Sequence, residues 1–150
     1  MSAGTGTPFY AYDLGAMAQE ARALRAAFEG GPHLVAYALK ANTAGAVVRT
    51  LAREGCGGDV VSGAELRVAL ACGIAPEHIV YNGVAKTDAE IELALSSGVR
   101  GIGAVLIESV EEIARVEARA SGGPQGARRH SGQPERRSRR ADPYAHRDGP

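Results

Sequence analysis

The sequence predicts an α/β protein in which strand–helix units follow one another along a parallel sheet, and three observations lead to that prediction. Short apolar runs recur at residues 34–39, 59–61, 78–81 and 101–107, roughly two dozen residues apart. Each run is followed by apolar residues spaced i, i+3, i+4, the stripe of a helix lying on a sheet. The turns between them are short, as parallel strands joined by right-handed crossovers require.

Taken in order, Phe9-Tyr10-Ala11-Tyr12 reads as a short opening strand. A helix follows over residues 14–28, with Leu14, Met17, Ala18, Ala21, Leu24 and Phe28 on one face. After the run 34–39 the helical stripe is Val47, Val48, Leu51 and Ala52. After 59–61 it is Leu66, Ala69 and Leu70; after 78–81, Ile91, Ala94 and Leu95; after 101–107, Val110, Ile113 and Ala114. Three helix starts, Ser62-Gly63-Ala64-Glu65, Thr87-Asp88-Ala89-Glu90 and Ser109-Val110-Glu111-Glu112, fit the capping box. Each such cap contributes about 1 kcal/mol. Gly55, Gly73 and Gly98 stand where helix ends need a left-handed residue. Periodicity alone leaves two architectures open, half of a βα barrel and an open α/β sheet.

Composition sets outer limits. The 150 residues suffice for one domain, whereas a full eight-unit barrel takes about 250. A hydrophobic share of 45% is that of a globular protein, and aromatics at 5% with no Trp imply an aliphatic core. No apolar run is long enough to span a bilayer. The first seven residues lack the basic start and apolar stretch of a secretory signal. Cys56 and Cys72 form neither a metal spacing nor a disulfide framework, so reduced thiols in a cytoplasmic protein are expected. The zero net charge joins two unlike parts. Residues 1–120 hold 10 Lys/Arg and 14 Asp/Glu; residues 121–150 hold 7 Arg, 3 Asp/Glu and no Val, Ile, Leu, Met or Phe. Such a tail cannot bury enough apolar surface to offset ordering entropy, and disorder is expected.

The segment Tyr37-Ala38-Leu39-Lys40-Ala41-Asn42 places a lysine at the end of an apolar run and before a break at Asn42-Thr43-Ala44-Gly45. Lys40 is thereby expected at the carboxyl end of a strand, where active sites of α/β barrels collect. A desolvated lysine amine is the nucleophile that joins pyridoxal phosphate as a Schiff base. A surface lysine snorkelling from a strand end is the plainer alternative.

From residue 7 to 120 the chain resembles the N-terminal half of the fold-type III, pyridoxal-phosphate-dependent amino-acid decarboxylases, the diaminopimelate/ornithine/arginine group. The resemblance rests on Thr7-Pro8-Phe9-Tyr10-Ala11-Tyr12-Asp13, on the lysine segment, and on Gly58-Asp59-Val60-Val61-Ser62-Gly63-Ala64-Glu65 against a G-x-D-x-x-S-x-x-E signature. It continues with Asn82-Gly83-Val84-Ala85-Lys86-Thr87 and with Ile107-Glu108-Ser109 followed by Glu112. Ala64 departs from the Gly common at that place in the diaminopimelate branch, which the chain otherwise looks most like. Alanine racemase shares the fold, but Thr43-Ala44-Gly45-Ala46 does not supply its Tyr-Gly-His-Gly type loop.

The resemblance implies a partial (β/α)8 barrel of about four βα units, alanine racemase-like, over residues 13–120. Residues 1–12 would be an N-terminal extension with the opening strand, and 121–150 the disordered tail. It implies a pyridoxal 5′-phosphate cofactor on Lys40, with Asp59 and Glu65 as cofactor-site carboxylates, and no metal. Glu65 reads equally well as half of the Ser62 capping box. Asn42 and Lys86 match family positions, but read nearly as well as a turn-former and a helix-start lysine. The implied reaction is decarboxylation of an amino acid, meso-diaminopimelate to L-lysine first, by a cytoplasmic homodimer. Another decarboxylase of the group (ornithine, arginine or carboxynorspermidine), a non-catalytic cofactor-binding barrel and a regulatory partner of a full-length homologue are the alternatives. No nucleic acid or membrane partner is expected.

The family's phosphate-binding glycine segments, E-P-G-R-like loop, cysteine-containing acidic motif and partner-subunit tyrosine have no counterpart in the chain. The polypeptide is therefore expected to be a truncated, inactive piece with open strand edges. The tail has an expected origin too. Read back into codons and shifted forward one base, His130-Ser131-Gly132-Gln133-Pro134 can encode Ile-Arg-Val-Asn-Pro. Continued to Gly149, the shifted frame can encode a T-H-x-x-x-T-G-like stretch resembling the family's fifth strand. Residues 121–150 thus read as a frame-shifted product, which is why their arginines are not taken as a nucleic-acid site.

Overall fold

In the computed structural model, which describes residues 6–28, 31–99 and 105–121, three strands form one parallel sheet. They are β1 (Ala36–Ala38), β2 (Gly57–Val60) and β3 (Ile79–Tyr81), in the order β1-β2-β3. The fourth apolar run joins the far edge: Val105 bridges Tyr81 in parallel, and the Leu106 N–H donates to the Tyr81 carbonyl at 2.9 Å. The remainder of that expected strand, 101–104, lies outside the described residues. Each unit therefore adds beside the one before it, without the reversal of strand order that marks a doubly wound sheet.

Helices α2 (Gly45–Arg53), α3 (Gly63–Ala71) and α4 (Asp88–Ser96) alternate with the strands. Val48, Leu66, Ala69 and Ala94 from these helices share one core with Val60, Ile79 and Tyr81 from the strands. Because strand side chains alternate, the face carrying Val60, Ile79 and Tyr81 is the helix-covered one. Helices on one face and consecutive strand order together give the barrel arrangement, not the open sheet. Leu39, Leu66, Ile79 and Ile91 are fully buried, each contributing about 1.5–3 kcal/mol. Helix ends come where expected, with Gly55, Gly73 and Gly98 at φ of +78°, +90° and +87°.

Two expectations are corrected. Residues 9–12 form no strand; Phe9, Tyr10 and Tyr12 are exposed, Tyr10 by 91%. Alternating aromatics suit a strand only where a neighbouring strand pairs with them, and among the described residues none does. The first helix, α1 (Leu14–Ala26), is capped by Asp13, which accepts from the Ala16 N–H at 3.0 Å, and it stops short of Phe28. It buries Ala18 and Ala21 while Leu24 and Phe28 stay more than half exposed. Polar contacts also tie it to α2: Arg22 pairs with Glu54 at 2.7 Å, and Arg25 donates to the Glu54 carbonyl.

The last helix, α5 (Val110–Ser121), runs to the point where the composition changes. The tail expected to be disordered lies, from residue 122 on, outside the described residues. Among the described residues, no helix is long and apolar enough to cross a membrane, and no cluster of three or more His, Cys, Asp or Glu could hold a metal ion.

Candidate functional site

Lys40 sits in a single 3-10 turn, Leu39–Ala41, directly after β1. The preceding Leu39 is fully buried and pins the turn to the core, while Lys40 itself stands exposed. The chain beyond is held by two hydrogen bonds. The Tyr37 hydroxyl donates to the Asn42 carbonyl at 3.2 Å, and Asn42 Oδ1 accepts from the Ala44 N–H at 2.9 Å. Asn42 thus acts as a turn-former. Burial raises the Tyr37 phenol above its ordinary pKa. Lys40 Nζ makes no hydrogen bond or ion pair among the described residues.

Asp59 lies on β2 in register with Ala38 of β1 and Val80 of β3. Paired residues of neighbouring strands share a face, so Asp59 projects away from the helices, on the side that faces a barrel interior. Its Oδ1 is buried and has no hydrogen-bond partner among the described residues. Buried carboxylate oxygens are nearly always paired, so this acceptor is open for a donor. Lys40 and Asp59 therefore stand at the carboxyl ends of adjacent strands, one offering a free amine and the other an unfilled acceptor.

Glu65 is used differently. Its Oε2 accepts from the Val61 N–H at 2.8 Å, while Ser62 Oγ accepts from the Glu65 N–H at 3.2 Å. The hydroxyl half of the expected capping box is present, but the carboxylate reaches one residue past the cap and closes the turn after β2. The Ser109–Glu112 start has the same form: Glu112 accepts from the Glu108 N–H at 2.9 Å. Only Thr87 and Glu90 make the full reciprocal box.

Glu90 does more than cap its own helix. Its Oε1 accepts from the Gly63 N–H at 2.8 Å and its Oε2 from the Thr87 N–H at 2.9 Å. These backbone donors, Gly63 first, hold its pKa down at about 2. Gly63 is what permits the approach, since a Cβ there would lie 2.9 Å from Glu90 Cγ. Beside it Tyr81 is pushed up to about 12, chiefly by burial and then by the Glu90 carboxylate.

Lys86 departs most from its reading as a helix-start lysine. It is 2% exposed, and its ammonium donates to the carbonyls of Gly83 and Leu106, each at 2.6 Å. It also pairs with Glu112 at 3.3 Å, and lies 5.7 Å from the centre of the Tyr81 ring. Burial would raise the Glu112 carboxyl, but the Glu108 N–H and Lys86 hold it below its ordinary value. Arg115 completes the junction by donating to the Lys86 carbonyl at 2.6 Å and pairing with Asp88. Glu90 and Glu112 escaped the sequence reading as links between units. The signal was present, because Glu65, Glu90 and Glu112 fill the same slot in three successive units.

Comparison with known proteins places this geometry. The profile of the family "Pyridoxal-dependent decarboxylase, pyridoxal binding domain" matches residues 14–138. The diaminopimelate decarboxylase of Zymomonas mobilis is 45% identical over 116 residues, covering 75% of this chain and 27% of that protein. That of Pseudomonas fluorescens is 43% identical over 108 residues, covering 72% and 25%. Among solved structures, diaminopimelate decarboxylase from Helicobacter pylori complexed with L-lysine superposes with a TM-score of 0.72 at 38% identity, over 79% of this chain and 29% of that one. The lysine/ornithine decarboxylase of Vibrio vulnificus complexed with putrescine gives 0.62 at 26% identity, over 72% and 28%. The chain thus spans about a quarter of the length of the curated relatives it matches.

Proposed function

The chain belongs to the pyridoxal-dependent decarboxylases, the model of whose pyridoxal-binding domain matches residues 14–138, and on that premise we propose that Lys40 carries pyridoxal 5′-phosphate for the decarboxylation of meso-diaminopimelate to L-lysine. The observation that carries the reading is the contrast between the two lysines of the sequence. Lys86 is buried with its ammonium engaged by two carbonyls and a carboxylate. Lys40 is exposed, at the carboxyl end of a barrel strand, with no partner among the described residues. An amine must be free and accessible to join an aldehyde.

The donor set fits the cofactor at two points. Lys40 supplies the amine that tethers it, and the open Oδ1 of Asp59 supplies an acceptor on the same side of the sheet for a proton-bearing group of the bound molecule. Glu65 is given an indirect part, holding the Val61 N–H and with it the end of β2 on which Asp59 stands. Pyridoxal phosphate held on Lys40 would supply an electron sink for the pair left on the α-carbon when CO2 departs. This chain's own residues orient: β1 and its turn place Lys40, and β2 places Asp59.

The substrate is argued from the relatives named diaminopimelate decarboxylase and from the solved relative that holds L-lysine. We further propose a cytoplasmic homodimer as the working form, which light scattering and fractionation would check. The direct test is absorbance. The chain mixed with pyridoxal phosphate develops the visible band of a lysine-bound cofactor, and Lys40→Ala abolishes it. A band that survives Lys40→Ala would overturn the assignment. An enzyme carrying this domain should release CO2 from meso-diaminopimelate in preference to ornithine or arginine; the reverse preference would move the substrate to another branch.

A further inference from the structure

Lys86 lies outside the group that would touch the cofactor, yet a continuous set of contacts connects it to the part of β2 that does. We infer that Lys86 is a positioning residue for the candidate site: its buried ammonium fixes the turn after β3, and through Gly83 and Val61 it holds the end of β2 that bears Asp59 and the turn that Glu65 closes.

The path is short and each step is steric or hydrogen-bonded. Lys86 Nζ donates to the Gly83 carbonyl at 2.6 Å. Gly83 is held at φ +134°, and a Cβ there would lie 2.9 Å from the Val61 carbonyl oxygen and 3.3 Å from Val61 Cα, so the two backbones are in direct contact. The adjoining Asn82 N–H donates to the Val60 carbonyl at 2.8 Å. The Val61 N–H donates in turn to Glu65 Oε2 at 2.8 Å. Displacing Gly83 therefore displaces the residue that anchors Glu65 and that lies two positions from Asp59.

The ammonium is suited to this because it is itself over-determined. On its far side it is held by the Leu106 carbonyl at 2.6 Å and by Glu112. Glu112 is held by the Glu108 N–H and, as the third residue into α5, by Ser109. Lys86 thus fastens the turn after β3 to the start of α5 as well as to β2. The turn needs such fastening, since Ala85 adopts φ +58°, a left-handed conformation that is unfavourable for a residue with a Cβ. A lysine offers three donors and is satisfied here by three acceptor groups.

The test is amide hydrogen exchange on the full chain, read at Val61 and, as a distant control, at the Val48 N–H in α2, which donates to the Ala44 carbonyl. Lys86→Met should speed exchange at Val61 about tenfold more than at Val48, as expected of a local opening added to any global loss of stability. Glu112→Gln, which keeps the shape and removes the countercharge, should speed it less and at the same place. It decides the question if Lys86→Met does not fold. Unchanged Val61 exchange in these variants, equal acceleration at Val61 and Val48, or an unprotected Val61 N–H in the unaltered chain would each overturn the inference. A second measurement rests on the proposed function: both variants should weaken capture of pyridoxal phosphate at Lys40 without lowering the amount captured at saturation. If the unaltered chain captures none, that function fails, while the exchange at Val61 still decides the role of Lys86.

Discussion

The helices after β2, after β3 and after the Val105 bridge each begin with a hydroxyl cap and a glutamate three residues on. The helix after β1 begins at Ala44 with no side-chain cap. Their edges differ in the same sense. Around units two to four, Glu90 joins α4 to the first N–H of α3, and Lys86 with Glu112 joins the turn after β3 to α5. Around unit one the exposed ammonium of Lys40 has no partner among the described residues, and that end of the unit is fastened through apolar Leu39, Val47 and Val48, while its polar ties, Arg22 and Arg25 to Glu54, lie at the far end of α2. Two lysines at the same end of one sheet thus have opposite fates. Neighbouring acceptors decide which is structural and which is free to react.

The sharpest way to break this comparison is to remove each amine in turn and measure stability. Lys86→Met should cost about 3–5 kcal/mol, because it leaves Glu112 buried without its countercharge, visible as a large fall in the urea midpoint. Lys40→Met should change the stability by less than about 0.5 kcal/mol, as exposed substitutions do, leaving the midpoint nearly unmoved. Equal effects would mean that the two sites do not differ as described.

Between these extremes lies Gly83→Ala. A methyl group at φ +134° and 2.9 Å from the Val61 carbonyl forces the turn after β3 away from β2, at about 1–3 kcal/mol. A neutral result by thermal unfolding would show that the two turns are not in contact.

Smaller still is Glu90→Gln, about 1 kcal/mol for a weakened cap, and it carries a pH signature. The Gly63 and Thr87 N–H donors hold the Glu90 carboxyl down at about 2 in the folded chain, well below the ordinary glutamate range. The stability it contributes is thus fully present above about 4.5 and is lost as pH falls from there through about 2. Glu90→Gln should flatten that part of the acid limb. An unchanged acid limb would locate the lost stability elsewhere.

How far the sequence revealed these features depended on how local their causes are. Strand positions and helix faces followed from apolar spacing, and the turn around Lys40 from Asn42 and the apolar run before it. Phe9 to Tyr12 misled because an alternating aromatic stretch becomes a strand only with a partner, which is a tertiary matter. Glu65 was legible as a helix-start glutamate, but not its choice of the Val61 N–H over its own cap. Lys86 was the least legible. Its burial depends on a carbonyl 20 residues away and a carboxylate 26 residues away, which meet only once unit four has docked on unit three.

The central claim is that Lys40 is the reactive amine, and one measurement addresses it directly. The chain is incubated with pyridoxal phosphate, reduced with borohydride, digested and mapped by mass spectrometry. A single pyridoxyl group on the peptide containing Lys40, with Lys86 unmodified, is the result this account predicts. Label on Lys86, or no lysine label at all, would contradict it.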